Sequence, residues 1–189
     1  PLAVLSGTTG LPEQAKEPIK QIDQQIQRQL KRAVAGSTGA FNHLIAIKPV
    51  VDKLLNAMSK VYADKNLNLS SDIQPNTLGF GGDMTDLMEI LGNILDNACK
   101  AAKNQVHVRV ASKKNELIMQ IEDDGPGIPL AKRTQLLARG VRLDSYKEGQ
   151  GIGMAVVADL VSAYQGQLEI NHSELGGAKL TLIFPSNSI

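Results

Sequence analysis

Tryptophan is absent from this chain, aromatic residues make up 3% of it, and its one cysteine, Cys99, stands alone. Each shortage excludes something. With few rings to stack on bases, and a formal net charge of +1 that leaves no basic footprint, nucleic acid is not the expected ligand. A lone cysteine closes no intramolecular disulfide, which fits a reducing cytoplasmic setting. No apolar run reaches the roughly 18 residues of a spanning helix, and no basic, apolar and small-residue series marks a signal peptide, so the chain is expected to be soluble. Asn68-Leu69-Ser70 and Asn171-His172-Ser173 match the glycosylation acceptor pattern, which a cytoplasmic chain never presents to that machinery, and both read as chance. The first residue is Pro1 rather than methionine, so the chain reads as a fragment.

What is present is an ordinary apolar fraction, 42% of 189 residues, enough to bury one main core with a small appendage. The first forty residues differ in kind from the rest. Ile19, Ile22, Ile26, Leu30 and Ala33 recur every three or four positions between Ala15 and Ala35, an amphipathic helix whose stripe needs a partner, either its own domain or half of a dimerising hairpin. Gly36-Ser37-Thr38-Gly39 then serves as a hinge. Two domains are expected, residues 1–40 and 41–189.

Beyond the hinge, Val50, Leu54, Leu55, Met58 and Val61 predict a helix over 49–62, and a further helix is predicted over 83–102. Short strands are predicted at 67–73 and 77–80. Val106, Val108 and Val110 alternate with polar residues before a second run at 117–121, a strand pair turning at Lys113-Lys114-Asn115. An apolar helix at 151–164 and two strands at 167–170 and 178–184 complete the pattern. Strands grouped with helices, not strictly alternating with them, predict an α+β fold, a two-layer sandwich of a mixed sheet covered by helices on one face.

Three segments carry the candidate chemistry, and together they point to an ATP site. In the helix over 83–102, Asn93, Asn97 and Lys100 fall at i, i+4 and i+7 and share one face. An asparagine amide oxygen is a hard neutral ligand for one Mg²⁺ position, and Asn93 is the first choice, with Asn97 supporting the metal or bonding phosphate. Lys100 is a mobile point charge for phosphate. The competing reading is a polar face that meets solvent, but asparagine is a poor helix former and its repetition needs a reason. Asp123 closes a strand ahead of Gly125 and Gly127. A carboxylate there accepts a hydrogen bond from the exocyclic amine of adenine and repels the oxygen guanine carries instead; the alternative is an acidic surface turn fixed by Pro126. Gly149, Gly151 and Gly153 open the last helix as a nest for phosphate oxygens. The sixth position of that glycine series is Met154 and no Gly-Lys-Ser/Thr triplet occurs, so neither the dinucleotide fingerprint nor the P-loop applies. Arg133, Arg139, Arg142 and Lys147 stud the intervening stretch, either a solvated loop or a lid over the triphosphate.

In order and spacing these segments resemble the N, G1 and G2 boxes of the sensor histidine kinases of two-component systems, whose ATP-binding domain shares its fold with gyrase, MutL and the heat-shock chaperone ATPases. By that resemblance Asn93 and Asn97 hold Mg²⁺ and phosphate, Lys100, Arg142, Lys147 and Gln150 contact the phosphates, Asp123 reads adenine, and Gly125, Gly127, Gly151 and Gly153 line the nucleotide. Gly176-Gly177-Ala178 is similar to the family's last glycine motif. The family's F-box phenylalanine, expected near Leu137, is missing from 136–140. Residues Pro1 to Leu5 look like the stretch that follows the family's phosphoacceptor histidine, which places the acceptor upstream of Pro1; His43, His107 and His172 lack its setting.

The resemblance implies the cytoplasmic part of an inner-membrane sensor, a histidine protein kinase. The parent is expected to be a membrane-anchored homodimer that uses Mg²⁺ and ATP to phosphorylate a histidine and then a response-regulator receiver domain. This chain, without the acceptor, is expected not to phosphorylate itself. Two alternatives stay open: an ATPase of the same fold with Glu89 as general base, and an ATP-gated dimerisation module.

Overall fold

The computed structural model describes residues 44–131, 133 and 152–185. Two compact units divide the chain, Pro1–Asn42 and His43–Ile189, and every described residue belongs to the second. The helix expected over 15–35, the hinge and His43 lie outside the described residues, as do Arg139, Arg142, Lys147, Gly149, Gln150 and Gly151.

In chain order the elements are β1 (Leu44–Ala46), α1 (Ile47–Val61), a 3-10 turn (Ala63–Lys65), β2 (Asn68–Gln74), β3 (Gly79–Gly81), α2 (Met84–Ala101), β4 (Gln105–Lys113), β5 (Glu116–Asp123), α3 (Ile152–Ala163), β6 (Gln167–His172) and β7 (Ala178–Pro185). Five strands form one sheet in the order β2-β4-β5-β7-β6, while β1 and β3 pair separately. The β2–β4 contact is parallel and the other ladders of the large sheet are antiparallel. The expected mixed sheet with helices on one face is therefore the fold observed. No helix among the described residues is long and apolar enough to cross a membrane.

The alternation read in the sequence builds the sheet's inner face. Val106, Val108 and Val110 of β4 lie across from Asp123, Ile121 and Met119 of β5, and Leu117, Met119 and Ile121 lie across from Phe184, Leu182 and Leu180 of β7. All the apolar members of these rows are buried in one core with Ile47, Val51, Leu87, Ile90, Leu91, Ile94, Val157 and Leu160 from the three helices. At about 1.5–3 kcal/mol for each fully buried large aliphatic side chain, this face holds the helices to the sheet. Between β4 and β5, Lys114 and Asn115 have φ of 51° and 62°, the positive values a two-residue hairpin needs to match the strand twist.

Two features depart from the local signals of the sequence. β1 was not anticipated, because three residues are too few for alternation to register; it is recognisable only by its pairing with β3. Val61 falls on the predicted apolar stripe of α1 but is 67% exposed, since the helix has run past the core, while Ile47 and Val51, off the predicted stripe, are fully buried.

Both ends of α2 are tied down. Asp83 caps its start, accepting bonds from the backbone N–H of Thr85 at 2.7 Å and Asp86 at 3.3 Å. At its other end the Lys65 Nζ donates to the carbonyls of Cys99, Lys100 and Ala102 at 2.9, 2.7 and 3.3 Å, meeting the orphan acceptors and the negative end of the helix dipole at once. Phe80 of β3 stacks edge-on against Tyr164 and Phe184, with ring centres 5.0 and 5.1 Å away, and pins the end of α3 to β7. Phe80→Ala is expected to cost about 3–5 kcal/mol in urea unfolding, whereas a change at an exposed position such as Ser71→Ala stays within about 0.5 kcal/mol.

Candidate functional site

Asp123, at the end of β5, is 3% exposed, which rules out the surface-turn reading. Its Oδ1 accepts hydrogen bonds from the backbone N–H of Gly125 at 2.8 Å and of Ala178 at 3.2 Å, and its carbonyl accepts one from the Gly177 N–H at 3.1 Å. A single residue thus joins the turn after β5 to the start of β7. Both side-chain bonds fall on Oδ1, which leaves Oδ2 for a further donor. Gly177 passes so close that a Cβ there would collide with Oδ1, so a side chain at 177 would displace the carboxylate. Gly127 turns with φ of 74° against the carbonyl of Gly177. Burial raises the Asp123 pKa, the bonds from Gly125 and Ala178 lower it, and burial together with the neighbouring Asp124 charge prevails.

Asp124, one residue on, does something else. Its carboxylate accepts from the backbone N–H of Lys103 at 2.8 Å, of Asn104 at 3.0 Å and of Gln105 at 3.2 Å, and so holds the link between α2 and β4. Partial burial opposes its ionisation, but these bonds outweigh that and hold its pKa below the usual carboxylate range. Both oxygens of Asp124 are thus engaged by the 103–105 segment. Among the described residues no cluster of His, Cys, Asp and Glu is placed to hold a metal ion.

On α2, Asn93 is half-buried and its Nδ2 donates to the carbonyl of Glu89 at 2.7 Å. That bond fixes which way the amide points. The oxygen Oδ1 faces the first turn of α3, where a Cβ on Gly153 would strike it. Asn93 and Gly153, sixty positions apart in sequence, are thus brought together, and a neutral amide oxygen is aimed at a helix start without a side chain to fill the space. Asn97 and Lys100 are exposed on the same helix, and Lys100 Nζ lies 2.5 Å from Asp96 Oδ2. At the end of α2 the turn holding Gly125 comes close: a Cβ on Gly125 would sit 2.5 Å from the Ala101 carbonyl. Cys99 beneath is fully buried, and burial with the Asp96 charge pushes its thiol up to about 11, so it is no nucleophile.

Supporting residues escaped the sequence reading. Ser173, 1% exposed, donates its hydroxyl to Glu122 Oε2 at 2.8 Å and accepts from the Leu175 N–H at 3.0 Å, while its own N–H donates to the Gly177 carbonyl at 3.0 Å. These bonds shape the turn that presses Gly177 against Asp123. Glu122 beside the Asp123 motif and Ser173 ahead of Gly176-Gly177 were visible as neighbours, but nothing in the spacing pairs them.

The profile of the "Histidine kinase-, DNA gyrase B-, and HSP90-like ATPase" family matches residues 82–188, from the cap of α2 past the end of β7. The chain belongs to this family. The sensor protein PhoQ of Escherichia coli K12 is 41% identical over 169 residues, 89% of this chain and 35% of its own length. The chain thus spans about a third of the length of the curated relatives it matches. Among solved structures, the mycobacterial sensor histidine kinase MprB superposes with a TM-score of 0.65 at 25% identity, over 78% of this chain and 99% of its own. The ATP binding domain of PrrB from Mycobacterium tuberculosis gives 0.64 at 26%, over 77% and 98%. The match to this ATPase family thus encompasses Asn93, Asp123 and Gly177.

Because the folded-state pKa of Asp123 is raised, its ionisation opposes folding, and that penalty vanishes as the pH falls through the folded pKa toward the ordinary carboxylate range. Asp123→Asn keeps an acceptor for Gly125 and Ala178 without the charge. Its melting temperature is expected to equal or exceed that of wild type at neutral pH, with the gap closing on acidification; a variant less stable at every pH refutes the sign.

Proposed function

We propose that this chain is the ATP-binding, phosphoryl-donating part of a sensor histidine kinase. The observation that carries the reading is the alignment of two recognition groups along α2. Asn93 faces the glycine start of α3, and eight residues further on, about 12 Å by helical rise, Ala101 abuts the turn that holds Asp123. That is the scale of an extended nucleoside triphosphate, with a buried base-reading carboxylate at one end and a neutral oxygen ligand at the other. Oδ2 of Asp123 accepts the exocyclic amine of adenine, which favours ATP over GTP.

Asn93 and Asn97 fit Mg²⁺, which when bound neutralises phosphate charge and holds the triphosphate in line. Lys100, Arg142, Lys147 and Gln150 contact the phosphates in this reading, and Gly151 and Gly153 bring backbone N–H groups close to them. The rest of the work is positioning. The nucleophile is a histidine of a helical hairpin; residues 1–40 are read as a remnant of that hairpin and residues 41–189 as the separate catalytic domain. His107 is inside β4, bonded through Nδ1 to Ser70 Oγ at 2.9 Å, and His172 closes β6, so neither is set for in-line attack. The whole protein is read as a membrane-anchored homodimer with its catalytic part in the cytoplasm, passing the phosphoryl group to a response-regulator receiver domain.

Mg²⁺ and ATP are expected to stabilise the chain by about 2.7 kcal/mol at a hundredfold excess over Kd, read as a thermal shift, with GTP giving much less. Asp123→Asn loses most of the ATP shift while its fold persists, and Asn93→Ala loses the Mg²⁺-dependent part. Equal shifts for ATP and GTP would sink the adenine assignment. With labelled ATP and a separate acceptor hairpin, label is expected on the hairpin and none at His43, His107 or His172 by mass spectrometry. Release of free phosphate without transfer would favour the ATPase reading built on Glu89, and binding alone the dimerisation module.

A further inference from the structure

Lys100 is committed elsewhere in this structure. Its ammonium sits on Asp96 Oδ2 at 2.5 Å, and the other oxygen of that carboxylate accepts the Tyr62 hydroxyl at 2.6 Å. Tyr62 lies directly after α1, outside the three motifs, and shares no sequence signal with Asp96. The backbone of this turn is held by Lys65, which bonds the carbonyls of Cys99 and Lys100, yet the Lys100 side chain is 59% exposed and that of Asp96 37%. The frame is thus fixed while the charged tip is on a weak tether, because an exposed pair at i, i+4 is worth little and exchanges readily.

We propose that Asp96 is an affinity-determining residue of the nucleotide site: it holds Lys100 when no nucleotide is present and surrenders it to the phosphates on binding, with Tyr62, bonded to its other oxygen, moderating that hold. The inference rests on Lys100 being a phosphate contact. Carboxylate and phosphate compete for one ammonium, so part of each binding event goes into breaking the Asp96 pair. The Tyr62 hydroxyl, by donating to the carboxylate, draws on the same charge and weakens that hold. Asp96 acts only through Lys100, and that dependence separates it from a general effect of charge or fold.

The test is calorimetric titration of the whole chain with Mg²⁺ and ATP, comparing wild type, Asp96→Asn, Lys100→Gln and the double variant. Asp96→Asn is expected to tighten binding by about two- to fivefold, the order of an exposed ion pair, and Lys100→Gln to weaken it; in the Lys100→Gln background the second change has no effect. If Lys100→Gln weakens binding but Asp96→Asn does not tighten it, or tightens it equally without Lys100, this inference is overturned and the phosphate reading of Lys100 stands. If Lys100→Gln leaves the affinity of wild type unchanged, that reading fails and takes the inference with it. A chain that does not bind ATP at all overturns both this inference and the proposed function. Should Asp96→Asn fail to fold, as its melt will show, Tyr62→Phe carries the test: Asp96 then keeps more charge for Lys100, so binding weakens by about twofold, and only while Lys100 is present. An unchanged affinity in Tyr62→Phe, with Asp96→Asn unfolded, overturns it.

Discussion

Asp123 brings a carboxylate into a place nearly closed to water, and the surrounding backbone is arranged to make that tolerable. A buried charge persists only if donors surround it, and here they come from two segments far apart in the chain, Gly125 after β5 and Ala178 at the start of β7. Meeting that demand fixes the path of both segments. Gly177 must lack a side chain because it passes over the same oxygen, and the Glu122–Ser173 bond shapes the hairpin so that Gly177 arrives there. The desolvation cost that remains is a reserve: a ligand amine that bonds Oδ2 meets a carboxylate poorly solvated beforehand, so little water has to be displaced.

The second organising element is α2, which is both the middle helix of the core and the shelf of the site. Ile90, Leu91, Ile94 and Leu95 are buried along one side, while Asn93, Asn97 and Lys100 occupy the other. Its rigidity is secured at its ends, by Asp83 at the start and Lys65 at the finish. A clamped helix keeps the Asn93 amide and the Lys100 cation at fixed positions on the backbone, and only the side-chain tips are left to respond. The Tyr62–Asp96–Lys100 contacts sit at that boundary between frame and tip.

Much of this was legible in the sequence. Alternation in Val106, Val108 and Val110 and the stripe on α2 are local signals, because side-chain periodicity maps directly onto a face. Asn93 stood out on such a face, whereas Asp123 and the glycines stood out through turn chemistry after a strand. Other features had no local trace. β1 is too short to show a period, and Val61 satisfies the helical spacing of α1 yet lies beyond the end of the core. The sequence singled out Asp123 but said nothing of its neighbour, and only the fold shows Asp124 satisfied by three successive N–H groups beside an Asp123 buried beneath Gly177.

By itself the sequence determined the α+β class, the inner faces of the strands and helices, and the residue types offered for nucleotide chemistry, since these depend on composition and short-range spacing. Tertiary structure decided which of those residues meet. That Asn93 faces Gly153, that Ala178 bonds Asp123, and that Lys100 rests on an Asp96 held by Tyr62 are outcomes of chain segments about 30 to 60 positions apart packing on one core. Hydrogen bonds reach only about 3 Å, so no pattern along the chain reveals such pairs until the hydrophobic layers have set the distances between them.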